Sequence, residues 1–297
     1  MSYGLKKRAC FIPLFLSVFF VCGNNAWSQI KLNAKLAMDR FLTYEPITLR
    51  VYVENNSGND LVFDYDSSNE AHLTVAVKRE DQPVYQKRVI NNADTVFRLA
   101  SGQRRELTVV LNGPGMFQLH KEGNYTYYVQ IGHPRFTADF RTVPAKIEIA
   151  DGQTLWTEAV GIPADGPDDT IKTRDVSVLW FRGKTRDHYA LMIEDKDHVY
   201  AVERLGERVS NEKPVCRVDA RSNIHILQRL SARVYGYKIY DYKGRMLQLK
   251  IVAVDDKEGP PGLVRDKELG VVRQVGGREA VRGEDYELYD GQVRDAR

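Results

Sequence analysis

The chain has 297 residues, with 43 basic against 40 acidic side chains, 10% aromatic content and three cysteines. Charge this close to balance, with the two signs interspersed, argues against nucleic acid or an anionic membrane surface as the main partner. Two of the cysteines lie in the first 28 residues, so the remainder holds Cys216 alone, has no intrachain disulfide, and depends on its apolar cores.

Residues 1–28 read as a secretory signal segment. Lys6, Lys7 and Arg8 form a basic start, residues 10–22 an apolar stretch broken by Pro13, and Ala26 and Ser28 small residues ahead of Gln29. Thirteen apolar residues fall short of the ~20 that a membrane-spanning helix needs. Lipid attachment at Cys22 is disfavoured, because Phe20 and Val21 precede it where a small residue belongs. The expected product is exported to the periplasm or beyond, begins at Gln29, and has no membrane span after cleavage. The three basic residues removed leave 40 charges of each sign.

Residues 29–152 are patterned as β-structure throughout. Ile47, Leu49, Val51 and Val53 alternate with Thr48, Arg50, Tyr52 and Glu54, a turn follows at 55–60, and Leu61, Phe63 and Tyr65 resume the alternation. Further strands are expected at 73–77, 84–89, 95–99, 107–111, 125–131 and 147–149. Short strands separated by Gly- and Asn-rich turns predict a β-sandwich.

Glu45, Pro46, the alternating run to Val53, then Asn55, Ser57 and Gly58, followed by Leu99 with Gly102 and Gly123 with Tyr125, resemble bacterial immunoglobulin-like domains. Such domains occur in many exported proteins and in one protease-inhibitor family. The resemblance implies an immunoglobulin-like β-sandwich and no particular activity. Together with residues 153–163 and the repeats below, it is also similar to exported proteins of Verrucomicrobia-like bacteria, which implies no site residues.

Residues 153–174 are the expected linker, with Gly161, Pro163, Gly166 and Pro167 beside Asp165, Asp168 and Asp169. Residues 175–280 contain a repeat. The stretch 215–230 has a counterpart 25 residues upstream at 190–205 and a fainter one 47 residues downstream at 262–277. Aligned that way, Asp219 matches Glu194 and Asp266, and Asn223 matches His198 and Gly270. The shared element is strand, acid-opened turn, strand. A period of ~47 suits a propeller blade, whereas 25 does not. The prediction is a second all-β domain, an antiparallel meander of propeller-blade-like repeats, ending in a charged tail at 281–297 that frays.

The clearest hairpin spans 233–253. Asp241 opens its turn and Gly244 closes it with a positive φ. That turn sets Ile239 opposite Leu247, Tyr237 opposite Leu249 and Tyr235 opposite Ile251, all on one buried face, with Lys238 and Gln248 on the other.

Candidate chemistry is sparse. No Gly-x-Ser-x-Gly is present, and Cys216 aligns with the apolar Leu191, which marks it as a small buried hydrophobe. The six histidines show no zinc-binding spacing. Asp195, Asp197 and Asp219 place oxygens in tight turns where calcium is one reading and turn capping the preferred one. Carboxylate pairs for hydrolysis need no motif, and nothing points to them. The candidate binding surface is aromatic: Tyr235, Tyr240 and Tyr242 on one hairpin and Tyr128, beside Tyr125 and Tyr127, on another. Tyrosine suits protein and sugar surfaces alike. The functional reading is a non-catalytic binding or structural module of the cell envelope, with protein or envelope polysaccharide as partner and no cofactor. A protease-inhibitor role for the first domain is the alternative, and a hydrolase comes third.

Overall fold

The computed structural model describes residues 29–64, 67, 69–80, 82–89, 96–134, 136, 139–162, 172–289 and 292–296, and its regular structure is β-strand. The expected signal segment 1–28, Tyr65 and residues 163–171 of the expected linker lie outside the described residues. No helix among the described residues is long and apolar enough to cross a membrane.

The first half consists of β1 (Ile30–Leu36), β2 (Arg40–Leu42), β3 (Thr48–Asn55), β4 (Leu61–Asp64), β5 (His72–Arg79), β6 (Tyr85–Arg88), β7 (Val96–Leu99), β8 (Arg104–Val110), β9 (Gly123–Gly132), β10 (Phe140–Arg141) and β11 (Ala145–Ala150). One layer has the order β1-β3-β8 and a second the order β2-β11-β9-β5-β6. Alternation decides which side chains meet between them. Leu49, Val51 and Val53 of β3 are fully buried in one cluster with Val75, Val129 and Ile147 from the second layer. The turn after β3 is fixed by Asn55. Its side-chain amide donates to the carbonyls of Asn59 and Leu99, while its oxygen accepts from Ser57. A fully buried amide is thereby satisfied, as burial requires.

The second half is a propeller-like succession of sheets. β12 (Gln153–Ile162), β13 (Lys172–Arg182), β14 (Asp187–Glu194) and β15 (Val199–Glu207) form an antiparallel meander. β16 (Val215–Val218), β17 (Ile224–Arg229), β18 (Val234–Tyr240) and β19 (Met246–Ala253) form the next. β20 (Gly262–Arg265) and β21 (Val272–Val275) pair as a hairpin, β22 (Arg278–Glu279) adds to β19, and β23 (Tyr286–Tyr289) pairs with β24 (Gln292–Asp295).

These sheets stack face on face. Val178, Leu191 and Ile193 of the first meander bury against Cys216, Ile224, Ile226 and Tyr240 of the second. On its other face the first meander sets Leu179, Phe181 and Val202 against Leu42 of the N-terminal half. The second meander's other face sets Leu227, Tyr235 and Tyr237 against Leu263 and Val272. Both meanders are therefore covered on two sides, which is why β17 is buried continuously from Ile224 to Gln228 rather than at alternate positions.

Two spans differ from the composition-based expectation. Within the expected linker, Gln153–Ile162 is a strand paired along its length with β13, because Val160 and Trp156 supply an apolar face. The charged tail forms the β23–β24 hairpin. Its acids are engaged: Asp285 holds Arg278 at 2.6 and 2.7 Å, and Asp295 accepts from Ser231 Oγ at 2.5 Å and Ala232 N–H at 3.1 Å.

The three related stretches are all hairpins: β14–β15, β16–β17 and β20–β21. The repeating unit is thus the hairpin, two of which make a four-stranded meander, and this accounts for the 25-residue spacing. In each, an aspartate oxygen accepts amides across the turn: Asp195 from Asp197 and His198, Asp219 from Arg221 and Asn223, Asp266 from Glu268 and Leu269. The counterpart of Asp219 is Asp195 rather than Glu194. The first turn is one residue shorter, closing from Asp195 N–H to the His198 carbonyl where the second closes from Asp219 to Asn223.

The β18–β19 register also differs. Tyr240 pairs with Met246 as the turn dictates, but Ile239 pairs with Gln248, so Leu247 is an extra residue bulged out of the ladder. Beyond it every partner moves by one: Lys238 faces Leu249, Tyr237 faces Lys250 and Tyr235 faces Val252. Leu247 and Leu249 become exposed, while Lys238 turns toward the neighbouring sheet. Gly244 has the expected positive φ, +83°.

Candidate functional site

The stacked meanders part at one edge. β15 ends the first sheet, β18 and β19 face it from the second, and Tyr44 and Pro46 of the N-terminal half lie over the opening, enclosing a cleft of about 570 Å³. That is within the roughly 300–1,000 Å³ of small-ligand sites. Irregular pairing shapes this edge. The β14–β15 ladder skips Tyr200 and Leu205, so β15 carries two bulges. A bulge re-aims a side chain and frees backbone groups. Tyr200 lines the cleft, 43% exposed, and the freed Leu205 carbonyl accepts from Lys238 Nζ.

Lys238 is the residue of consequence. It lies on the β18 face that packs against the first meander, between Gly236 and Tyr240 in the alternation. Burial pulls its ammonium down to about 8, since the charged form is disfavoured away from water. Among the described residues it has no carboxylate partner, and neither has Lys243 at the cleft mouth. The other cations are engaged. Arg245 Nε donates to Asp241 at 2.7 Å, and Arg204 grips both oxygens of Glu45 at 2.8 Å. Glu203 supplies the acid of the lining, its carboxyl raised above the usual range by burial and then by Glu45. The Tyr240 hydroxyl is pushed up to about 12 by burial first and Glu203 second.

Gln228, fully buried on the same face of the second meander, donates from Nε2 to the Glu207 carbonyl at 3.0 Å, while its Oε1 has no partner among the described residues. Lys238 and Gln228 thus both reach across to β15 and fix the gap between the sheets.

The expected aromatic surface is not assembled. Tyr235 is buried under the β20–β21 hairpin, its hydroxyl on Glu212, and Tyr240 is buried between the two meanders. Both faces of β18 are covered, so its tyrosines are core on either side. Tyr240 still lines the cleft floor. Tyr242 packs part-buried beside the Arg174 guanidinium, which also lies 3.4 Å over the Tyr200 ring. Tyr128 belongs to β9 of the N-terminal half, with Arg141 over its ring and Gln86 on its hydroxyl, apart from the cleft residues.

The acids considered for calcium sit on two turns, Asp195 and Asp197 between β14 and β15 and Asp219 between β16 and β17. Asp195 and Asp219 spend their oxygens on N–H and O–H donors, including Tyr200 and Asn223, and Asp197 faces Lys196 at 3.9 Å. No three His, Cys, Asp or Glu side chains are grouped as metal ligands among the described residues. Cys216 is buried, and burial pushes its thiol up to about 12, so no thiolate forms near neutrality. His225 is held from both sides, by the Tyr237 hydroxyl at 2.6 Å on Nδ1 and by Asp219 at 3.2 Å on Nε2. This relay is buried, on the β18 face away from the cleft.

The alternation sets Lys238 on the face opposite the buried one and gives no sign of Tyr44, Tyr200 or Glu203. One signal was present: a lysine inside VYGYKIY, an otherwise apolar and aromatic strand.

No family model matches the chain, and no curated protein matches it. Among solved structures it is similar to the sporulation control protein Spo0M from Bacillus subtilis, at 10% identity and a TM-score of 0.24, over 60% of this chain and 90% of that one. It is also similar to the chaperone YadV, at 9% identity and a TM-score of 0.24, over 74% of this chain and 98% of that one. Likeness at that level carries no argument about function.

Proposed function

We propose that the protein is an exported binding module of the cell envelope that takes its ligand in the cleft between β15 and β18–β19. The observation that carries this reading is the cleft itself. Its floor and mouth hold two lysines without acid partners, and its width is set by Lys238 and Gln228 reaching to β15 carbonyls. A gap braced by polar side chains is pre-organised for a ligand, which lowers the ordering cost of binding. Export rests on the basic, apolar and small-residue order of residues 1–28. The N-terminal half is read as the immunoglobulin-like unit that the resemblance implies, supported by its two layers and its Asn55-anchored turn. The sheets after residue 153 form the binding unit.

Two measurements test this. Expression of the full chain in a Gram-negative host, followed by intact mass, should give a periplasmic protein starting within two residues of Gln29; a cytoplasmic protein retaining residues 1–28 sinks the export reading. Hydrogen exchange with soluble envelope polysaccharide should slow the amides of β15 and β19, and an unchanged pattern there sinks the cleft as the binding site.

A further inference from the structure

We infer that the cleft takes a carboxylate-bearing saccharide, a uronate or similar acid sugar, with Lys238 as the residue that anchors the carboxylate. The inference rests on reading the cleft as a binding site and gives that site its ligand class.

An ammonium withdrawn from water without a counter-ion is costly, and proteins ordinarily pair it. The titratable and charged groups that line the cleft with Lys238 are Tyr200, Glu203 and Arg204 on β15, Tyr240 on its own strand, Lys243 and Arg245 in the following turn, and Tyr44 at the mouth. Arg204 and Arg245 already hold Glu45 and Asp241. Among the described residues Glu203 forms no ion pair with Lys238, and the Leu205 carbonyl alone accepts from Nζ. A ligand carboxylate at the floor of the cleft supplies the missing partner. The lowered proton affinity of Lys238 fits the same picture, because it reports an ammonium enclosed without an anion.

The strand edges and the lining select what carries the carboxylate. An acidic peptide entering between two sheet edges would add to one of them as a strand. Both edges are blunted against that: β15 is bulged at Tyr200 and Leu205, and β19 at Leu247. The exposed lining offers flat rings and short apolar faces instead, Tyr44 at 47%, Tyr200 at 43% and Leu249 at 49%. Tyrosine pairs an apolar ring with a hydroxyl, which suits a pyranose with its C–H face and hydroxyl rim.

The test is titration calorimetry of the mature chain with three probes: trigalacturonate, its neutral methyl ester, and tri-glutamate. Trigalacturonate should bind, the ester at least tenfold more weakly. Lys238→Gln should lose at least tenfold in affinity and Lys238→Arg less, while Lys250→Gln, an exposed change on the other face of β19, should leave binding alone. Affinity should fall from pH 7 to pH 9 as Lys238 gives up its proton. Since Lys238→Gln is a core-lining change, acetylation of Lys238 in the unmodified protein, read by peptide mass with and without trigalacturonate, gives the same answer independently; the sugar should protect it. Equal binding of acid and ester, or an unaffected Lys238→Gln, overturns the carboxylate anchor while leaving the cleft as a binding site. Preference for tri-glutamate overturns the saccharide in favour of an acidic peptide. No slowing of β15 and β19 exchange by any probe overturns both readings together.

Discussion

Arg204 of β15 and Glu45 of the N-terminal half form a two-pronged ion pair, Nε and Nη2 each 2.8 Å from a carboxylate oxygen, with side chains 18% and 8% exposed. Glu45 Oε2 also accepts the Leu42 amide at 2.9 Å, and Leu42 is itself buried against Leu179 and Phe181. One carboxylate therefore closes a local turn and clamps the N-terminal layers onto the first meander.

Breaking this pair from one side strands the other charge in the interface. Glu45→Gln or Arg204→Met should each cost about 3–5 kcal/mol, the usual scale for a buried pair that loses one member. The double variant Glu45→Gln with Arg204→Met should recover much of that loss. Urea melts of the four proteins form a cycle, and strictly additive losses would mean that the two residues act separately.

The β18–β19 turn gives a second contrast. A Cβ at Gly244 would sit 2.4 Å from the Ala201 Cβ, in addition to occupying φ +83°. Gly244→Ala should then cost the order of 1–3 kcal/mol expected for strained backbone, plus a comparable overpacking cost. Ala201→Gly in the same chain should relieve the second part and not the first. A double variant no more stable than Gly244→Ala would show that this turn and β15 do not touch there.

The bulge at Leu247 reverses which side chains matter in this hairpin. Tyr237→Ala should cost roughly 3–5 kcal/mol as a buried aromatic truncation, and Leu249→Ala under about 1 kcal/mol as an exposed one. Lys238 carries its own pH signature. Its folded-state proton leaves near pH 8, against an ordinary 10.5, so between those values the unfolded chain binds more protons and stability rises with pH. Lys238→Met should abolish that rise and leave the protein no less stable at pH 7. The urea midpoint from pH 7 to 10.5, compared between the two proteins, checks the sign; a midpoint difference that does not change with pH refutes it.

The same hairpin shows how far the chain could be read beforehand. Alternation located Ile47 to Val53, their burial and the strands around them, because period-2 burial is a local property. Turn chemistry located Gly244 and the capping aspartates for the same reason. The register past Leu247 was not legible, because either phase buries apolar residues when both faces of β18 are covered, and the bulge is selected by packing from β15 and β20. The cleft was invisible for a related reason. Tyr44, Tyr200 and Lys238 are separated by over 150 residues at the extremes, and only the stacking of the meanders brings them together.

Cys216 should behave as an inert reporter. Its thiol is 2% exposed and pushed up to about 12 by burial. Cys216→Ala should cost about 1–2 kcal/mol as a modest loss of buried volume. Alkylation by iodoacetamide at pH 8 should proceed only through unfolding, with its rate following the urea unfolding curve. Labelling of the native protein within minutes would place the thiol at an accessible site and contradict the packing of β16 against β14.

The capping aspartates make acid the condition under which the second half should loosen first. Asp195 is held down at about 2, first by the Tyr200 hydroxyl and then by the amides of Asp197 and His198. For Asp219, burial works to raise the carboxyl, but donors from Asn223, His225 and Arg221 outweigh it and the net direction is down. Asp241 is the same: burial raises it, while hydrogen bonds from Arg245 and Lys243 outweigh that and the net direction is down. Asp255 and Asp266 are lowered chiefly by turn amides. A carboxylate whose folded value lies below its unfolded one contributes stability above the unfolded value and loses it as pH falls through the folded one. For Asp195 that window runs from about pH 4 to about pH 2, and the others decline within the same acidic region. Asp219→Asn retains an oxygen for the turn amides but loses the charge, so at pH 7 it should cost about 1–3 kcal/mol, the scale of hydrogen bonds to an ionised group. The gap between wild type and Asp219→Asn should narrow steadily below pH 4, because protonation turns the wild-type carboxylate into a neutral acceptor too. Far-ultraviolet circular dichroism against urea at half-unit steps from pH 5 to pH 2 gives both curves. A wild-type midpoint that stays level over that range, or a gap that widens with acid, would show that these turns are held by something other than their aspartates.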